Sequence, residues 1–565
     1  MKRNTKSKNA LALALAAAMF IMPAAQAEQS TSFTQTTENA QGMPSMQDCT
    51  CETCTTEGPH ICTCTSQMSD SSQSGSTDGQ TPPSKPDGES SNGQTPPSKP
   101  DGESSNGQTP PSKPDGDSTD GQTPPSKPDG ANSDGSQPEM LTCSCDDAQP
   151  LSMPGNGGGA PGGFGGSDTV TNGTAATTIS EDSEISGETY TSVGDDENAL
   201  RIDGATVTLD SVTVDKSGGE SSNTEDGDFY GQNAAILALN GANVAITGAN
   251  ITTNAKNGNA VFSYGEGTVV NISDSTIITN QNNSGGIQTT GGGTTNASNL
   301  TIETSGNSAA AIRSDRGGGT VNVDGGTYTT NGTGSPAVYS TADITVSNST
   351  LTANDSEVVV IEGKSAAILN NCESTGSMSV TAQGDDSDNI HNVMIYQSMS
   401  GDAEEGTAVF SAIGGSLTAL KGDMIYVTNT DCTITLSDVD LTLANGKLLT
   451  IEGNSSSRGW GTAGANGADV VFTADAQVLT GDITVDTIST LDMTLSNNSE
   501  FTGTINIVEN EAGGQAVDNN AVVTIEEGST WTLTGDCTIT SLDNQGTIEY
   551  NGYTITLADG TVLAE

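Results

Sequence analysis

The residues best equipped for chemistry in this chain lie in one short stretch, Ala311-Ile-Arg313-Ser-Asp315-Arg316-Gly-Gly-Gly319. Two guanidiniums and a carboxylate at the end of an extended run could clamp a sugar carboxylate, because the planar guanidinium fork matches carboxylate geometry bidentately. Arg313 and Asp315 should point the same way, since strand side chains repeat at every second residue. The same residues also read as a local ion pair that neutralises acidic neighbours, and this is the reading the sequence favours. Service of an arginine as a lyase base is a third reading.

Other stretches offer oxygen ligands or stacking rings. Asp195 and Asp196 in Gly194-Asp-Asp-Glu197, Asp226 and Asp228 in Glu225-Asp-Gly-Asp228, and Asp385, Asp386 and Asp388 in Gly384-Asp-Asp-Ser-Asp388 are candidate calcium loops. Calcium takes six to eight oxygens, which clustered carboxylates on a turn can supply. None of them has EF-hand spacing, and each reads as well as a solvated acidic loop. Phe229 and Tyr230, Trp460 and Tyr264 are candidate sugar-stacking rings, whereas Trp531 alternates with apolar partners and is expected to be packed. With aromatics at only 3%, a long stacking platform is not available.

Composition removes whole classes of function. Asp and Glu number 71 against 17 Lys and Arg, a formal charge of −54, so the surface repels phosphate backbones and anionic lipid. Nucleic-acid binding is not expected. Two histidines serve the whole chain, and one lies in Asn389-Ile-His391-Asn392, which argues against imidazole catalysis or a multi-histidine metal site.

Residues 1–27 carry Lys2, Arg3, Lys6 and Lys8, then an apolar stretch and Ala25-Gln-Ala27, the pattern of a cleaved secretory signal. The apolar run is shorter than the roughly 20 residues a membrane span needs. A secreted or extracellular protein is expected, cell-surface association being the alternative, with no membrane span after cleavage. Residues 28–70 form a polar segment holding Cys49, Cys51, Cys54, Cys62 and Cys64. Residues 71–142 repeat Gly-Gln-Thr-Pro-Pro-Ser-Lys-Pro-Asp-Gly with a period of 14, which favours extended polyproline II and reads as a disordered spacer. Residues 143–168 add Cys143 and Cys145 and a glycine-rich hinge. Export makes these seven cysteines disulfide candidates, although a zinc knot with His60 is the alternative.

Residues 169–565 must supply the elements that position the candidates. Lines such as Asn233-Ala-Ala-Ile236, Asn259-Ala-Val-Phe262, Ser284-Gly-Gly-Ile287, Ala309-Ala-Ala-Ile312, Ser335-Pro-Ala-Val338 and Glu357-Val-Val-Val360 recur about every 25 residues. Apolar pairs five apart recur within them: Ile246/Ile251, Ile272/Ile277, Ala297/Ile302, Val323/Tyr328 and Val346/Leu351. Alternation such as Val321-Asn-Val323 is the period of a strand with one buried face. Units this small cannot bury a core alone but can by stacking. The expected fold is therefore all-β, a right-handed parallel β-helix with three short strands per coil, and some fourteen to sixteen coils. After residue 380 the spacing loosens, with Asn392-Val-Met-Ile-Tyr396, Asp423-Met-Ile-Tyr-Val427 and Lys447-Leu-Leu-Thr-Ile451 still reading as first strands.

Runs such as Gly194-Asp-Asp-Glu-Asn-Ala-Leu-Arg-Ile-Asp-Gly-Ala-Thr-Val-Thr-Leu209 resemble the coils of secreted bacterial β-helix proteins related to pectate lyases, some of them polysaccharide binders and others adhesin-like. The resemblance covers about residues 190–560 and speaks for fold more than function. Catalytic members of the family would use clustered Asp with an Arg or Lys base, or Gly-His-Gly with Arg-x-Lys; both of the last two motifs are absent here. No catalytic residues are therefore assigned. The expectation is a non-enzymatic, carbohydrate-binding surface protein that contacts polysaccharide or cell-surface glycan along one sheet face, with calcium as the only cofactor implied. The alternatives are a calcium-dependent polysaccharide lyase and a purely structural surface protein.

Overall fold

The computed structural model describes residues 170–379, 390–455 and 460–565. The seven N-terminal cysteines, the proline repeats, Asp385, Asp386 and Asp388 lie outside the described residues.

The chain winds as a parallel β-helix. Among the described residues, each coil places one strand in a first sheet of sixteen strands stacked in chain order, from Thr174–Ile179 to Val562–Leu563. The strand lines found in the sequence meet in this sheet: Ile287 pairs with Ile312 and Ile312 with Val338. The later lines follow, with Val393 against Ile425 and Ile425 against Leu449. The remaining strands form a twenty-stranded second sheet and, towards the C-terminus, a four-stranded third. Ile246, Ile272, Ala297, Val323 and Val346 stack in one row and Ile251, Ile277, Ile302, Tyr328 and Leu351 in another, as their five-residue spacing predicts. At the C-terminal end Val562–Leu563 folds back antiparallel on Ile555–Leu557, which covers an otherwise unpaired strand edge.

Bends between strand rows explain the asparagine content. One residue per coil at the corner of the second sheet adopts the left-handed region: Asp274, Asn299, Asn348, Asn371, Asp438 and Asn497 at φ of 50–54°, with Gly248, Gly325 and Gly414 in the same column. Asn, Asp and Gly are the residues that enter that region at little cost. Their side chains ladder along the column, Asn299 Nδ2 donating to Asp274 Oδ1 at 2.7 Å and Asn371 Nδ2 to Asn348 Oδ1 at 3.1 Å.

Two of the sequence lines are displaced by one residue. Val261, not Phe262, pairs with Ile236, and Val359, not Val360, pairs with Val338. Because alternate side chains face opposite ways, Val261 and Val359 enter the interior while Phe262 and Val360 face outward. There they join two apolar pads separate from the main core, one of Ala234, Leu237, Leu239 and Phe262, the other of Val360, Met394, Tyr396 and Tyr426. Apolarity on both sides of these strands hid the register.

Two insertions lie over this side of the sheet, and Trp460 packs against the second pad. The first is the short helix α1, Thr224–Tyr230, whose start is capped by the Asn223 side chain accepting from the Glu225 amide and whose end is the left-handed Gly231. Seven residues are too few for helical periodicity to show, so Glu225-Asp-Gly-Asp228, expected as a loop, is helical. The second insertion is the 397–406 loop. Among the described residues no helix is long and apolar enough to cross a membrane.

The interior is continuous from coil to coil and includes Trp531, fully buried, stacked on Phe501 at 5.8 Å and donating from Nε1 to the Gly503 carbonyl at 3.1 Å. Trp531→Ala should cost about 3–5 kcal/mol in unfolding free energy, the range for truncating a large buried ring. Chemical denaturation measures it, and a loss below about 1 kcal/mol would mean the coil collapses around the cavity.

Candidate functional site

Stacking of the coils gathers residues that the sequence offered in three separate lists. Arg313 and Asp315 stand on the outer side of the first-sheet strand Ile312–Ser314 and its exit, and α1 lies over the neighbouring strands. The helix is held by polar side chains rising from those strands. Gln288 Nε2 donates to the Asp228 carbonyl at 2.7 Å and Thr290 Oγ1 to the Phe229 carbonyl at 2.6 Å. Arg313 Nη2 is 3.2 Å from Asp228 Oδ2 and 2.6 Å from Asp315 Oδ2. Asp315 Oδ1 also accepts the Arg316 amide at 3.0 Å.

Electrostatics follow from one cation facing two carboxylates away from water. Burial pushes the Asp315 carboxyl up to about 7; Arg313 pulls it down, and Asp228 and Asp402 push it further up. Asp228 is raised by burial too, partly offset by Arg313 and by the amides of Asn257 and Asn283. Burial works to lower the Arg313 guanidinium, but the facing carboxylates win and raise it. The ion pair that the sequence favoured for Arg313 is therefore present in the fold, with its guanidinium only 11% exposed.

Arg316 is more open, its side chain 36% exposed. Its guanidinium sits 4.1 Å from the Phe229 ring centroid, a cation–π distance, and its Nη2 is 2.8 Å from Asp402 Oδ1 in the 397–406 loop. Phe229, expected as an exposed ring, is only 6% exposed because this guanidinium and the helix cover it. Tyr230 remains half-buried and meets half-buried Tyr264 edge to face at 5.8 Å. The rim of the seam between the two insertions thus presents Tyr230, Tyr264, Arg316, Asp402 and Glu225.

The network continues beneath the second insertion through residues the sequence reading missed. Glu362, 1% exposed, accepts from Tyr339 at 2.6 Å, Tyr396 at 2.9 Å and Ser400 at 3.4 Å, and from Ser398. Ser400 Oγ also lies 2.9 Å from Asp402 Oδ2, so its one proton is shared between the two carboxylates. Burial, then the Glu362 charge, raises the Tyr339 hydroxyl well above the ordinary phenol range. Trp460 is half-buried, packed on Tyr396 at 4.5 Å. Nearby, His391 lies 3.3 Å from Glu357 and stacks on Tyr426. Burial works to raise Glu357, but the hydrogen bond and charge of His391 outweigh it and hold the carboxyl low.

Of the remaining acidic candidates, Asp195 and Asp196 serve the backbone. Asp195 Oδ1 accepts the Glu220 amide at 3.0 Å and Asp196 Oδ1 the Ser222 amide at 2.6 Å, pinning the approach to α1. Asp226 is buried, 4% exposed. Among the described residues no group of three or more His, Cys, Asp or Glu side chains is placed to hold a metal ion. On the second sheet, a shallow groove of about 250 Å³ is lined by Thr247, Asn271, Ser273, Asn296 and Ser298 among others. Its amides form a ladder, Asn296 Nδ2 donating to Asn271 Oδ1 at 3.0 Å.

Compared with known protein families the sequence matches none, and no curated protein is similar to it.

Proposed function

We propose that this chain is an exported, non-enzymatic binding protein of the pectate-lyase-like kind, which holds polysaccharide or cell-surface glycan at the seam on its first sheet. The observation that carries this reading is the edge-to-face pair Tyr230/Tyr264 beside the part-exposed Arg316–Asp402 ion pair. A ring face for a sugar's apolar side next to charged hydrogen-bonding groups for its hydroxyls suits a pyranose. Asp402 at the rim is paired with Arg316, while the inner carboxylates are tied up: Asp228 and Asp315 are engaged by Arg313, and Glu362 by tyrosine and serine hydroxyls. These three inner carboxylates brace the seam instead of facing solvent. The amide and hydroxyl rows of the second-sheet groove offer an extended glycan further contacts, and calcium enters as a counterion for the acidic surface.

A glycan array probed with the whole exported chain, with and without calcium, tests the reading. Arg316→Ala and Tyr230→Ala should each weaken the strongest signal about tenfold or more, the scale of losing one charge-assisted contact or one stacked ring. An array blank at high protein concentration would leave the seam without a ligand. Release of unsaturated product from polygalacturonate with calcium, abolished by Arg316→Ala, would replace binding with lyase chemistry.

A further inference from the structure

We infer that the segment Arg313–Arg316 is a shared clasp for the two insertions on the first sheet, so that α1 and the 397–406 loop open as one unit. The insertions are far apart in the chain, yet both are fastened to the same four residues. Arg313 holds α1 through Asp228 at 3.2 Å, and Arg316 holds the loop through Asp402 at 2.8 Å. Arg316 also covers Phe229 of α1 at 4.1 Å, so this single side chain touches both insertions at once. Asp315 fixes the two arginines to each other, accepting from the Arg313 guanidinium at 2.6 Å and from the Arg316 amide at 3.0 Å. Freeing either insertion therefore removes a partner from the residue that restrains the other.

What lies beneath gives the opening a consequence. Gly231, at the end of α1, rests against Leu237 and Phe262, and Ser398 and Ser400 of the loop cap Glu362 between Tyr339 and Tyr396. Joint opening uncovers one outward row of the first sheet that runs Phe262, Gln288, Arg313 and Tyr339, whereas each insertion alone would uncover only part of it. Contacts of this kind, surface helices and loops held by a few side-chain ties, belong to the low-stability end of a fold. The inference concerns motion of the seam and stands whether or not the seam binds glycan.

Hydrogen exchange of the full chain tests it without a ligand. Asp402→Asn takes the charge out of the tie on the loop side, and Asp402 makes no direct hydrogen bond or ion pair to α1. The clasp predicts that Asp402→Asn speeds exchange about fivefold or more in peptides from both 398–406 and 224–232, the scale of coupling between residues of one network. Arg316→Ala should speed both further, while the buried strand Asp423–Thr428 keeps its protection and reports that the coils remain folded. Faster exchange confined to 398–406 in Asp402→Asn, with 224–232 unchanged, would overturn the clasp. So would Arg316→Ala releasing one insertion alone. If Arg316→Ala does not fold, Asp402→Asn decides the matter by itself.

Discussion

Replacing Arg313 by alanine is expected to lower the unfolding free energy by about 3–5 kcal/mol, the cost of leaving buried charges without their partner. Two carboxylates, Asp228 and Asp315, face this one guanidinium at 3.2 and 2.6 Å with little solvent around them. Truncation removes the cation that touches both and leaves two buried carboxyls to repel each other or to take up a proton. The loss is not a measure of what the triad contributes, because a buried ion pair already carries a desolvation cost. The triple variant Arg313→Met, Asp228→Leu, Asp315→Leu should therefore lie within about 2 kcal/mol of the parent chain. Denaturant titration of both variants separates these statements. A single variant losing less than about 1 kcal/mol would mean water reaches the carboxylates freely.

Stability is expected to fall as pH rises from about 4 to 7. Asp315 titrates near 7 in the folded chain against an ordinary value of 3.8. Between these values the folded state keeps a proton the unfolded state has lost, so the slope of stability with pH is negative there, at up to about 1.4 kcal/mol per pH unit for a fully buried group. Glu452, raised to about 7 by burial and by Asp486 and Asp423, works in the same direction. Self-repulsion of a chain with net charge −54 adds to it. Lys216, lowered by burial to about 8, acts oppositely, favouring the folded state only as pH climbs from 8 towards 10.5. Glu357, held low by His391, sets the acid limit, since its contribution is lost when pH drops through its folded value. Thermal unfolding should occur at a higher temperature at pH 5 than at pH 8, and Asp315→Asn should flatten the difference. A profile flat or rising between these pH values in the parent chain would contradict the assignment.

The fold was legible because stacking demands repetition. Ile287, Ile312 and Val338 recur at nearly constant spacing since each must sit above the last, and the bend asparagines recur because one left-handed residue closes each corner. What blurred the register was apolarity on both sides of a strand, as at Val261-Phe262 and Val359-Val360. The site was legible only in fragments. Arg313, Asp315 and Arg316 stood out as rare cations in an acidic chain, but Asp228 and Asp402 are about 85 residues away on either side, and which coils an insertion covers is a tertiary matter. Glu362, Tyr339 and Tyr396 carried a signal that correct register would have exposed, since they follow Arg313 and Asp315 in the outward rows of the first sheet. Helix α1, bounded by Asn223 and Gly231, is too short for its periodicity to show.

The most direct measurement is oxidative footprinting of the tyrosines and tryptophans combined with hydrogen exchange of the groove peptides, free and saturated with the glycan that scores highest on the array. Protection concentrated at Tyr230 and Tyr264, with Tyr553 and the groove-lining peptides around Asn271 and Asn296 changed less, is the result the seam predicts. Protection confined to the second-sheet groove, with Tyr230 and Tyr264 reacting as in the free chain, would place the ligand on a different face.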